Sequence, residues 1–260
     1  MRIISFCADS IVDAAKKGFF DWVVKQDADI ICIQNLGIAE YKLRDDVYFP
    51  RDYNPYFFDA ADGKHNGVAI YCRQLPKAIM TGLGFLDFDM DGLYIQADFD
   101  NISIGSLLAP TAEEGDSAGL IRKNQFFEQY LNHLTKVRNK RRDFIICGNW
   151  NIAHRAIDIQ DVRGNHGKPG SLAEEQQWLD RLFREQQYSD AFRLVNNDSD
   201  EFSWWPDGEP GTNGWRVDMQ ITSEHMTPRV EYGAIYKVQA FGKHAPVIMD
   251  YDFELPESPF

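Results

Sequence analysis

Three short segments constrain the fold of this chain most tightly. Arg2–Cys7 (RIISFC), Asp29–Gln34 (DIICIQ) and Asp143–Cys147 (DFIIC) are apolar in their interiors, and each runs straight into a polar loop. A strand with no solvated side is covered on both faces, as central strands of α/β proteins are. Between the first two segments lies Ile11–Gln26, where Ala15, Phe19, Trp22 and Val23 fall on one helical face. Together they predict a βαβ unit.

The remainder extends the pattern. Gly67–Arg73, Leu93–Phe99 and Ile102–Leu108 are rich in β-branched and aromatic residues, and Asp98–Asn101 supplies a turn between the last two, which predicts an antiparallel hairpin. Helices are predicted over Gly119–Asn139, with Phe126, Phe127, Tyr130, Leu131 and Leu134 on its stripe, and over Ala173–Gln186, with Trp178, Leu179, Leu182 and Phe183. Glu201–Trp205, Trp215–Ile221 and Val247–Phe253 are strand-like. No Ser/Gly-rich linker or charge block divides the chain. The expectation is one domain over residues 1–260, a four-layer α/β sandwich in which two mixed sheets pack face to face with helices outside.

Composition restricts the setting. Forty acidic against 27 basic residues give a net charge of −13, so the chain repels nucleic acid on average. Any RNA or DNA binding then needs a local basic patch or a helper protein. Cys7, Cys32, Cys72 and Cys147 sit in or beside apolar runs with no CxxC pair, as reduced, buried cysteines of a cytoplasmic protein do. The opening MRIISFCADS is a strand and not a signal peptide, and no run of about 18 apolar residues exists to span a membrane.

Polar loops at the ends of buried strands are where α/β folds put their sites. Here they include Cys7-Ala8-Asp9-Ser10, Gln34-Asn35, Gly148-Asn149-Trp150-Asn151, Arg216-Val217-Asp218 and Gly242-Lys243-His244-Ala245. In order and spacing, SFCADSI, DIICIQN, GVAIY, LYIQADF, GNWNI, FSWW, GWRVD and GKHAPV resemble the exonuclease/endonuclease/phosphatase superfamily, most closely exonuclease III and the AP endonucleases. The resemblance covers nearly the whole chain and implies the exonuclease III / DNase I-like fold. It also implies phosphodiester hydrolysis with a divalent metal, usually magnesium.

The family pattern is altered at its charged positions. Where the family has the metal-binding Glu after the second strand, this chain has Asn35. Asn149 replaces the Asp of GDxN, while Asn151 is kept. Lys243 replaces the Asp of SDH, while His244 is kept, and Asp218 matches a family Asp. Cys7 stands for the first-loop Asn, Asp9 for another Asn, and Leu108 for the Tyr. The pocket is then about three charge units more positive than the family's. A lysine takes the place of the carboxylate expected beside His244. The expectation from these changes is a chain without metal, cofactor or catalysis, in which Cys7, Asp9, Asn35, Asn149, Asn151, Asp218, Lys243 and His244 form a remnant pocket. The alternative is an exonuclease III-like nuclease or AP endonuclease of weak residual activity.

Within the superfamily, LYIQADFDNISIGSLLAP (93–110), FSWWPD (202–207), GWRVDMQ (214–220) and HAPVIMDYDF (244–253) are most similar to the bacterial catabolite repression control (Crc) proteins. That resemblance implies a translational repressor acting with the RNA chaperone Hfq on A-rich mRNA leaders, with little autonomous RNA binding. Lys136, Arg138, Lys140, Arg141 and Arg142 form the densest basic cluster, which exceeds what helix capping needs and is the candidate RNA- or partner-binding surface. Arg155 and Arg163 would extend it.

Overall fold

A computed structural model describes residues 1–140, 142–208 and 210–255. Its strands are β1 (Arg2–Cys7), β2 (Ile30–Gln34), β3 (Asn54–Phe58), β4 (Val68–Cys72), β5 (Ala78–Thr81), β6 (Tyr94–Asp98), β7 (Ile102–Leu108), β8 (Asp143–Asn149), β9 (Ser189–Asp190), β10 (Asp218–Thr222), β11 (Val230–Ile235) and β12 (Val247–Tyr251). Its helices are α1 (Ile11–Lys16), α2 (Phe19–Val23), α3 (Ser117–Arg138), α4 (Val162–Asn165), α5 (Ala173–Arg184) and α6 (Ala191–Val195). Two six-stranded sheets result, in the orders β11-β12-β1-β2-β4-β3 and β5-β6-β7-β8-β10-β9. Each is mixed, because β1–β2 and β7–β8 are parallel while the other pairs are antiparallel.

Strand periodicity builds the layers. Ile30, Cys32, Val68, Ile70 and Cys72 point into the core between the sheets, with Ile95, Ile104, Ile145 and Cys147 opposite. Their neighbours Ile31, Ile33, Ala69 and Tyr71 point outward, under Ile11, Phe19, Phe20 and Val23 of α1 and α2. Successive strand side chains face opposite sides, so an all-apolar strand serves two layers at once. Buried polar groups also fix the relation between the sheets. Gln34 Nε2 donates to Ser106 Oγ at 2.9 Å, and Gln220 Nε2 donates to the Ile3 carbonyl at 3.1 Å.

Two of the predicted elements take a different form. The single helix over 11–26 is broken: α1 ends at Lys16 with Lys17 as its C-cap, and Gly18 adopts φ 85° before α2 restarts. Glycine has no Cβ penalty in that left-handed conformation, so it terminates the first helix. Glu201–Trp205 forms no ladder. Trp204 alone bridges to Trp215 on one side and His244 on the other. Among the described residues, no helix is long and apolar enough to cross a membrane.

Candidate active site

The registers of both sheets converge on one cleft. Cys7 pairs with Gln34 at the ends of the parallel strands β1 and β2, which puts Asp9 and Asn35 in adjacent loops. Asn149 closes β8 and pairs with Asp218, the first residue of β10. His244 lies three residues before Val247, which pairs with Ser5 of β1. Loop geometry adds precision. Asp9, Asn35 and Asn151 all have positive φ, at 58°, 56° and 52°. Asp and Asn tolerate this region better than other L residues, and backbone strain gathers at functional sites.

At the centre is a buried dyad. His244 Nδ1 lies 2.8 Å from Asp218 Oδ2, and both side chains are almost wholly enclosed. The second ring nitrogen, Nε2, is 4.0 Å from Oδ1 of Asp9, which is half-exposed at the mouth of the cleft. Burial alone would depress the imidazole pKa. Asp218, with Cys7 beside it, outweighs burial and raises the pKa well above its ordinary 6.5. Burial pushes the neighbouring Cys7 thiol up, so it remains protonated.

This geometry corrects the sequence reading of Lys243. The carboxylate that orients His244 comes from β10 and not from the preceding residue, so Lys243 displaces nothing from the dyad. The Lys243 side chain is exposed while His244 is buried, and its carbonyl accepts from Trp205 N at 3.1 Å. Sequence reasoning also missed Ser203. Its hydroxyl donates to Asp218 Oδ2 at 2.7 Å and accepts from the backbone N–H groups of Val217 and Asp218. The FSWW segment marked the place, but a serine between Phe202 and Trp204 carries no motif of its own.

The carboxamides form the rim. Asn35 Nδ2 donates to Asp9 Oδ1 at 3.1 Å. Asn149 Oδ1 accepts from Asn151 N, and its Nδ2 lies 3.6 Å from Cys7 Sγ. Asn151 Nδ2 donates to the Ala109 carbonyl, and its own carbonyl accepts from Lys123 Nζ of α3. Leu108 is buried at the end of β7. Magnesium prefers an all-oxygen shell, and these residues do not fit one. Asn149 Oδ1 is taken by the backbone N–H of Asn151, Asn35 turns its Nδ2 toward Asp9, and the Asp218 carboxylate is grouped with sulfur and imidazole.

Beside the dyad opens a cleft of about 490 Å³, whose lining includes Asn151, Lys168, Trp204, Trp215 and Val217. The Trp204 ring centroid is 6.1 Å from that of His244. Trp205 is buried, so the pair divides into one core indole and one cleft indole.

The basic cluster lies elsewhere. β8 runs from Asp143 to the site residue Asn149, so the groove of about 360 Å³ lined by Arg138, Lys140, Arg142 and Asp143 is at the far end, about 20 Å away. Arg142 Nη1 donates to the Phe99 and Ile102 carbonyls, and Arg138 donates to the Glu185 carbonyl. Their guanidinium groups therefore serve the fold, while Lys136 and Lys140 are exposed. Arg141 lies outside the described residues. Arg155 lines a different cleft with His154, Arg184 and Arg193, and Arg163 belongs to α4.

The sequence model of the endonuclease/exonuclease/phosphatase family matches residues 11–235. An exodeoxyribonuclease of Bacillus subtilis (strain 168) is 28% identical over 252 residues, covering 95% of this chain and 98% of the relative. The DNA repair nuclease APEX1 of Danio rerio is 28% identical over 261 residues, covering 96% of this chain and 81% of the relative. An AP endonuclease structure from Archaeoglobus fulgidus superposes with a TM-score of 0.87 at 20% identity, covering 97% of this chain and all of that one. These findings overturn the expectation of a chain without catalysis: full-length relatives are named as enzymes. The assembled dyad removes one of the three substitutions on which that expectation rested.

Proposed function

We propose that this chain, which belongs to the endonuclease/exonuclease/phosphatase family, is a slow nucleic-acid phosphodiesterase working through the Asp218–His244 dyad. The observation that carries this reading is the His244 ring held 2.8 Å from Asp218, with its other nitrogen 4.0 Å from Asp9 at the cleft mouth, an arrangement that favours the charged imidazolium. A fixed cation there stabilises the charge that develops on a scissile phosphate, and its orientation costs nothing at the moment of reaction. Asp9 is the carboxylate at the mouth able to accept a proton from an attacking water. The indole-lined cleft suits a nucleoside flanking that phosphate, since aromatic faces stack on bases and sugars. Slowness follows from Asn35 and Asn149, which are amides where the family has acids.

The reading predicts that Asp9→Asn lowers strand scission of an abasic-site duplex by about 10²-fold or more, the usual contribution of a general base. The variant keeps the size of the side chain and can still bond Asn35. Single-turnover rates, with and without added divalent ions, check this. Equal rates for the two proteins would remove Asp9 from the mechanism.

A second reading is favoured by the basic groove at the far end of β8. There the exposed Lys140, with the exposed Lys136 one turn earlier on α3, would touch A-rich RNA presented by the chaperone Hfq. On this reading the chain alone shifts little A-rich RNA, consistent with its net charge of −13, and supershifts the Hfq–RNA complex. Lys136→Glu/Lys140→Glu should weaken the supershift about tenfold or more, at roughly 1 kcal/mol for each charge reversed. An unaltered supershift would make the groove ordinary solvated surface.

A further inference from the structure

We propose that Cys7, Asp218 and His244 form a site for a borderline-soft divalent cation such as Zn²⁺. Cys7 Sγ, a carboxylate oxygen of Asp218 and a ring nitrogen of His244 lie within 4.8 Å of one another, and this is the only such group of three among the described residues. The donors come from the end of β1, the start of β10 and the turn before β12, so the fold and not a local motif assembles them. All three residues are buried, at 1%, 2% and 6% exposure.

A second observation points to a ligand. Asp218 Oδ2 bonds both Ser203 and His244, but Oδ1 is buried and has no hydrogen-bond partner among the described residues. An unsatisfied buried carboxylate oxygen is costly, and a cation would satisfy it. The donor chemistry selects the ion. Sulfur and imidazole favour zinc and its neighbours in the first transition row, whereas magnesium takes oxygen. Asp9, 4.0 Å from His244 Nε2, provides a further oxygen at the solvent side and leaves the site open to exchange. Binding replaces the thiol proton of Cys7 and the proton on the ligating ring nitrogen of His244, which pass to solvent. The ion thus competes with protons for the ring nitrogen. If the hydrolytic reading above holds, zinc is an inhibitor of the site.

Cobalt substitution tests the binding claim without any assay of turnover. The full chain, dialysed against chelator, is titrated with Co²⁺. The expected result is saturation at one equivalent, with a sulfur-to-cobalt charge-transfer band in the near ultraviolet and intense visible bands, all displaced by Zn²⁺. Cys7→Ser should abolish the charge-transfer band and weaken binding about tenfold or more. Cys72→Ser, in the core between the sheets, should change neither. Absence of saturable binding in the wild type would overturn the proposal, as would an undiminished charge-transfer band in Cys7→Ser. Should that variant not fold, X-ray absorption of the zinc-loaded wild type decides. One sulfur at about 2.3 Å is expected, and a shell of nitrogen and oxygen alone contradicts it. Because both readouts are spectroscopic, a protein that binds the ion and cleaves nothing separates this claim from the hydrolytic one.

Discussion

Arg216→Ala is expected to cost this protein about 3–5 kcal/mol of stability, the usual consequence of stranding charges in a buried ionic cluster. Arg216 is 1% exposed. It donates to Asp158 Oδ1 at 2.7 Å and to Asp190 Oδ2 at 2.6 Å, while Arg193 reaches the same Asp158 oxygen at 2.8 Å. The cluster ties the loop after β8, the strand β9 and the helix α6 to the residue two before Asp218. Burial pushes the Asp158 carboxyl up, but Arg216 and Arg193 outweigh burial and hold it below its ordinary 3.8. A carboxylate with a depressed native pKa contributes stability that is present above pH 3.8 and lost as pH falls through the lower native value. Domains are stable by only about 5–15 kcal/mol, so the loss is a large fraction of the whole. Urea midpoints at pH 7 measure it. Arg216→Met/Asp190→Asn should recover part of the loss, because the stranded charge dominates the lost contacts. An Arg216→Ala midpoint equal to wild type would show that the cluster holds nothing together.

Asp218→Asn is expected to lower strand scission by about 10²–10⁴-fold with the fold intact. The amide keeps the volume of the carboxylate and can still accept from Ser203. It no longer charges the imidazole, so the cation that would face the phosphate is lost. The same change alters stability with a definite sign. The pKa of His244 is raised in the folded protein, so the dyad's contribution is complete below about pH 6.5 and declines as pH rises through the native pKa. The difference in urea midpoint between wild type and Asp218→Asn should therefore be largest in mild acid and shrink towards alkaline pH. A rate within a few-fold of wild type would take the dyad out of the chemistry.

The inner architecture was legible in the sequence, and the edges were not. Every interior strand of both sheets announced itself. β1, β2, β4 and β8 did so as apolar runs, β6 and β7 as a hairpin, and β10 and β12 by aromatic and branched residues. The missed strands β3, β5, β9 and β11 are the four edges of the two sheets. An edge strand is covered less completely, so its pattern is weak. β5 is largely exposed, β9 has only two residues, β11 exposes Glu231 and Tyr232, and β3 carries Pro55. Proline is tolerated at an edge for the reason that makes it a poor strand signal. The site divides in the same way. Its residues could be collected by family motif, but the partner of His244 could not be read from adjacency. Residue 243 is next in the chain, yet the contact comes from Asp218 through the pairing of β10 with β8. Ser203 is invisible for a related reason: a serine between aromatic residues carries no pattern until the bridges at Trp204 bring it beside Asp218.

Single-turnover cleavage of an end-labelled abasic-site duplex, with wild-type protein and His244→Ala prepared side by side, tests the hydrolytic reading most directly. The expected result is slow, complete scission by the wild type and a rate reduced at least about 10²-fold in the variant. Equal scission by the two proteins, or none by an excess of correctly folded wild type, would contradict it.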